Sequence, residues 1–297
     1  MKLGLPIALS LGFLAAPSLA VSILPANPCV PQGTSFSCPS VYSGAIGASA
    51  SPSPATAAGI QSLWALRDNM HQRWQALDAA CDPDAVFALT YLFMTDSVAS
   101  HVANNYFDFN EDMVTFTRTF ANYYLTAIDN WHNGNRSQVP QAWKTAFSNA
   151  EAQKTLAEQD LFLGMNAHIN RDLAYVVNDL KMKNDHKPDY NRINDILQET
   201  AEPVNTQIVC RYSGNPLQTN PILGAALLEL ITGWRENAWQ NGKLMQFNPL
   251  QKIVVDTAAA AIANLFAVNL GTNGQRVQYC QSQQAANACP PLQLTNH

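Results

Sequence analysis

His168 and Asp172 stand four residues apart in a segment that reads as helix, so an imidazole and a carboxylate lie one turn from each other. Such a pair has the outline of a general acid/base unit. The imidazole exchanges a proton near neutral pH and the carboxylate orients or charges it. Asn166 and Asn170 in the same segment bring amides that can fix the orientation of a bound molecule. At about 100° per residue, Leu161, Phe162, Met165, Ile169, Leu173, Val176 and Leu180 form one apolar face. Asp172 falls near the middle of that face, with Glu158 on the same line and His168 at its edge. Gly164 leaves room for a close approach. A carboxylate aimed at a core is costly unless it is paired, so Asp172 requires a partner.

Arg235 is the expected partner. It lies near the centre of the stripe Leu227, Leu228, Ile231, Trp234, Ala238 and Met245, so it too should point inward. A bidentate Asp172–Arg235 pair would then bridge two helices. His101 lies on the Met94–Val98 face of another helix, Asp96 on its Leu92–Phe93 face, and Asp256 interrupts an apolar run near the end of the chain. The expected catalytic set is His168, Asp172 and Arg235, with Asn166, Asn170, His101 and Asp96 as ligand-binding groups. No cofactor is expected. The alternative chemistry is a divalent metal on His168 and Asp172, completed by His101 or Asp96, but the spacing matches no strong metal signature. A buried ion pair that only supports folding is the competing account of Asp172 and Arg235.

These residues need helices to hold them, and helix signals run almost without pause from Ala58 to Gly271. Leu63, Leu66, Met70, Trp74 and Leu77 stripe the first helix. Asp82-Pro83 opens a second, apolar nearly all round and therefore central. Asn110 caps a third, lined by Met113, Phe116, Phe120, Tyr124 and Trp131 and ended by Gly134. Val139-Pro140 opens a short helix with Trp143 and Phe147, and a long one follows over 152–181. Three more are expected over 189–211, with a kink at Pro203, over 220–245, and from Asn248-Pro249 to Gly271. The pattern is an all-α single bundle of about eight helices with no strand.

Outside this domain, residues 1–20 have the layout of a signal peptide: Lys2, an apolar stretch Leu3–Ala16, and Ser18-Leu19-Ala20. Residues 21–57 read as an extended Ser/Pro/Ala-rich arm, and 272–297 as an irregular cysteine-bearing tail. No later stretch has the apolar length of a transmembrane span, so a secreted, extracellular protein is expected. The six cysteines, Cys29, Cys38, Cys81, Cys210, Cys280 and Cys289, suit an oxidising compartment. The expected pairing is two local loops, Cys29–Cys38 and Cys280–Cys289, leaving Cys81–Cys210 as a long staple. Asn135-Arg136-Ser137 is a glycosylation acceptor in an expected loop. The net charge of −5 and scattered basic residues argue against a nucleic-acid partner, and 47% hydrophobic against 13% charged residues implies a large core. H-E-x-x-H, G-x-S-x-G and phosphate-loop motifs are absent.

The run Asn166-Ala167-His168-Ile169-Asn170, continued by Arg171-Asp172-Leu173, resembles the hallmark of an uncharacterised helical family marked by an N-A-H-I-N motif. Phe120 to Tyr124, Val139 to Trp143 and Trp234 to Trp239 are also similar to that family, and the resemblance spans about Leu63 to Leu270. It implies a helical fold and directs attention to the motif, and it implies no activity. Two functions are expected from the residues themselves. The first is an enzyme acting on a small organic molecule, a hydrolase, lyase or cyclase using general acid/base chemistry. The second is a non-catalytic secreted binding protein for a lipid or secondary metabolite. Export disfavours a nucleotide-dependent reaction, since ATP and NAD(P)H are not steadily supplied outside cells.

Overall fold

The computed structural model describes residues 30–32, 35–37, 54–213, 221–270 and 274–297. It divides into two units, Met1–Gly47 and Ala48–His297. In the first, β1 (Val30–Gln32) and β2 (Ser35–Ser37) pair antiparallel, Val30 opposite Ser37. The arm therefore contains a short hairpin where no strand was expected. Residues 1–20, expected to be a signal peptide, and the expected pair Cys29–Cys38 lie outside the described residues.

The second unit is all-α. α1 (Pro54–Ala79) buries Leu63, Met70 and Trp74 of its stripe and stops where Cys81 takes a left-handed φ of 51°. α2 (Ala85–Ala103) starts after Asp82, whose carboxylate accepts the Asp84 N–H at 2.9 Å. Thirteen of its residues are buried, because α1, α3 (Asn110–His132), α5 (Ala157–Met165) and α7 (Lys187–Ile208) all pack on it. Its length and hydropathy would suit a membrane span, but it is the central helix of the bundle. The start of α3 is capped from a distance: Asp189 of α7 accepts the N–H groups of Asp108 and Phe109 at 2.9 and 2.7 Å. Asn110, the expected cap, is already the first helical residue.

α4 (Gln141–Glu151) carries Trp143 into the core. The long helix expected over 152–181 is shorter and interrupted. Thr155 and Asp160 bond each other and Arg276, holding 152–156 in a turn before α5. After α5 the chain passes through seven π-helical residues, Asn166–Asp172, and continues as α6 (Leu173–Asp179). α7 runs through Pro203 and ends in a second π segment, Val209–Ser213. α8 (Pro221–Met245) packs on α6, with Gly242 pressed against Val177 and the Ala174 carbonyl. α9 (Gln251–Phe266) lies on α4 and the first π segment.

Two corrections concern the end of the chain. The tail read as irregular contains α10 (Gln275–Ala285). The disulfides are Cys81–Cys280 and Cys210–Cys289, in place of Cys280–Cys289 and Cys81–Cys210. α10 holds Cys280 buried against the α1–α2 junction while Cys289, past the helix end, reaches Cys210 of the second π segment. A local 280–289 loop would require breaking that helix. Asn135 lies on an exposed stretch before a short 3₁₀ turn, Arg136–Gln138.

Candidate functional site

The site is built on the π segment. The Leu173 N–H reaches the His168 carbonyl, an i→i+5 bond that widens the turn. A wheel drawn at the α-helical period therefore loses its phase here. Asn166, Ala167, His168, Ile169 and Asp172 are all buried, and His168 sits inside the protein rather than at the rim of an apolar face. Wide turns of this kind recur at functional sites because they aim side chains that a regular helix would spread apart.

Asp172 is fully buried and its carboxylate is filled from three sides. Trp143 Nε1 donates to Oδ2 at 2.8 Å, Arg171 Nη1 donates to Oδ1 at 2.6 Å, and His168 Nδ1 lies 3.3 Å from Oδ2. Arg171 also donates to Asp256 at 2.8 Å and lies over the Tyr175 ring, whose hydroxyl donates to Asp256. The buried charge is thus answered by its sequence neighbour.

With Nδ1–H directed at Asp172, the lone pair of His168 is on Nε2. That atom is buried and has no hydrogen-bond partner, and neither has the buried hydroxyl of Tyr91, whose ring packs against the imidazole. Burial holds the imidazole below its ordinary pKa, against the opposing pull of Asp172, so it is neutral. Burial likewise pushes the Tyr91 phenol far up, and it stays protonated. Five rings enclose the imidazole. Phe120 stacks on it with 3.6 Å between centroids, Tyr91 meets it edge-on at 4.4 Å, and Phe87, Tyr124 and Trp143 stand further out. Phe120 alone among the five is only partly buried. Gly164 admits this shell, since a Cβ there would come within 2.4 Å of the Phe87 ring.

The remaining expected residues are placed elsewhere or committed otherwise. Arg235 is buried, as its stripe position implied, but it does not pair with Asp172. Its Nε donates to Asn194 at 2.7 Å, its Nη2 donates to the Tyr190 carbonyl, and the guanidinium lies over the Tyr190 ring. Both of these partners lie on α7, while Asp172 is met by Arg171. Asn166 donates to the Ala259 carbonyl of α9 at 2.8 Å and accepts from Asn170 at 3.0 Å, so the two amides tie the π segment to α9. Asp96 pairs with Arg67 and accepts the N–H and hydroxyl of Thr295 in the tail. His101 lies 2.8 Å from the Ser97 carbonyl and 3.4 Å from Glu199. Neither joins His168. Among the described residues no group of three or more His, Cys, Asp or Glu could hold a metal ion.

Sequence reading did not single out Trp143, Arg171 or Tyr91 for this site. Trp143 carried one signal, an indole N–H that needs an acceptor when buried. Arg171, adjacent to Asp172, was a partner in plain view. Nothing in the sequence marks Tyr91 apart from other core aromatics.

The profile of a family of unknown function, DUF5995, matches residues 65–268. The chain belongs to that family. The matched region includes the π segment, its aromatic shell and Arg235, and ends before α10 and the second cysteine of either disulfide. No curated protein and no solved structure matches the chain. DUF5995 membership therefore assigns the region and leaves its chemistry to the geometry.

Proposed function

We propose that this DUF5995 protein is an exported enzyme acting on a small, largely apolar organic molecule, with His168 as general base oriented by Asp172. One observation carries the reading: a neutral imidazole whose Nδ1 faces a buried carboxylate, whose Nε2 is left without a partner, and whose ring packs against that of Tyr91, whose hydroxyl is equally unpartnered. Nε2 would take a proton from the substrate and Tyr91 would donate a hydrogen bond to a substrate oxygen as charge develops there. Arg171 and Trp143 hold the Asp172 carboxylate in place. Phe120 is the ring a substrate displaces, being the least enclosed of the shell. The Asn166-to-Asn170 string would be the family's hallmark because its wide turn sets the phase of His168. Export is supported by two long-range disulfides, which persist in oxidising compartments, and by the signal-like residues 1–20.

The test is to incubate the secreted protein with an organic extract of its producing organism's culture, beside the His168→Gln and Tyr91→Phe variants. A compound consumed by the wild type and spared by folded His168→Gln supports the enzyme. A compound retained unchanged identifies a binding protein instead. If nothing is consumed or retained and both variants lose stability heavily, the cluster serves folding alone and the proposal fails. The mass of the secreted chain tests export separately, cleavage after Ala20 being expected.

A further inference from the structure

One face of α9, with the turns that flank it, is apolar and bare. Phe247, Leu250, Ile253, Val254, Leu265 and Val268 are between 54% and 84% exposed. The opposite face of the helix, Val255, Ala259 and Ala263, is buried on α4 and the π segment. Between the large residues at its two ends the bare face holds Thr257, Ala258 and Ala261, all exposed. Leu250, Val254, Thr257, Ala261 and Asn264 follow one another at steps of four, three, four and three, the spacing of a helix–helix seam. Asp256 is the one charged residue from 253 to 265, and it is turned to Arg171 and Tyr175 on the flank.

We infer that this face packs on its own copy, α9 against α9, in an antiparallel two-fold dimer. Self-complementarity is the reason to choose a second copy. An axis passing between residues 259 and 260 sets Val254 opposite the partner's Leu265, and Ala258 opposite the partner's Ala261. Large ends meet large ends, and the small residues at the crossing let the backbones approach. The exposed area of these side chains is roughly 800 Å², more than the largest apolar patch of a typical monomer and equal to one partner's share of a standard interface. Asn264, polar within the seam, would fix the register. Lys252 leans over Tyr175 and Lys243 donates to the Met182 carbonyl, so neither is turned outward as it would be at an anionic membrane.

The experiment is sedimentation of the full, disulfide-intact chain over a range of micromolar concentrations. A dimer is expected, and Ala261→Glu should weaken it on the order of 100-fold with an unchanged helical spectrum, because two buried carboxylates would face Ala258 across the axis. Leu265→Lys should act alike. Equal mixing of Val254→Cys and Leu265→Cys chains should give an inter-chain disulfide on mild oxidation. A monomer at about 100 µM overturns the inference at this scale of buried area. So does a dimer indifferent to Ala261→Glu, a monomer that floats with phosphatidylcholine vesicles through this face, or a Leu265→Cys cross-link that forms only to residues 1–53 of the same chain.

Discussion

Tyr91 and His168 hold two polar atoms that the fold buries and does not satisfy. A buried, unpartnered hydroxyl costs stability, so Tyr91→Phe should leave the protein as stable or more stable by about 1 kcal/mol in urea denaturation, while abolishing most turnover. A residue kept for folding alone would show the reverse. His168 gives a pH prediction whose sign follows from its lowered pKa. In the unfolded chain the ring titrates near its ordinary 6.5, whereas the folded protein resists the proton. The unfolded state binds more protons as pH falls below 6.5, so this contribution to stability is complete above that pH and is lost progressively below it. His168→Phe removes this contribution. Denaturation midpoints of the variant should fall less steeply than those of the wild type as pH is lowered from 6.5.

Among the elements, the π segment and the two glycines beside it decide the geometry. Gly164 seats the Phe87 ring on α2, and Gly242 seats Val177 and the Ala174 carbonyl on α6. Alanine at either position overpacks, at a cost of about 1–3 kcal/mol. Gly242→Ala should be the worse of the two, because it meets backbone, which cannot rotate aside as a ring can. Thermal melting of both variants measures this. The order of the helices was legible from period and caps: stripes at 3.6 residues, Asp82-Pro83, Gly134 and Asn248-Pro249 mark elements that exist. The break before α5 was not, because it depends on Arg276, 116 residues from Asp160. Neither was the wide turn at 166–172, since no residue in it signals a change of period. That one feature explains why Asp172 is inward as read while His168 is deeper than read.

For the molecule as a whole, the disulfides tie a tail outside the family region to the turn between α1 and α2 and to the π segment after α7. They close segments of 199 and 79 residues. In the chain-entropy account loops of this size are each worth about 4–5 kcal/mol, less any structure kept in the unfolded state. Replacing Cys81 and Cys280 by Ser should lower the melting temperature by about 10 °C, since 1 kcal/mol shifts a domain of this size by 2–4 °C. The helical content should persist, because the matched core does not include α10. Loss of the whole fold on reduction would show that the tail is part of the core instead.

What the sequence determined by itself is everything that follows from local periodicity and cost. An all-α bundle follows from apolar stripes at the helical period, and so do inward positions for Asp172 and Arg235. The need of a buried carboxylate for a partner follows from the energy of burying charge. The tertiary structure decided who the partners are. Asp172 took Arg171 and Trp143, Arg235 took Asn194 and the Tyr190 carbonyl, and the cysteines joined across helices rather than within loops. Period is fixed by backbone hydrogen bonds over a few residues. Partnership depends on which faces meet after the chain has folded back on itself, and several inward charges can satisfy one another equally well until that packing selects among them.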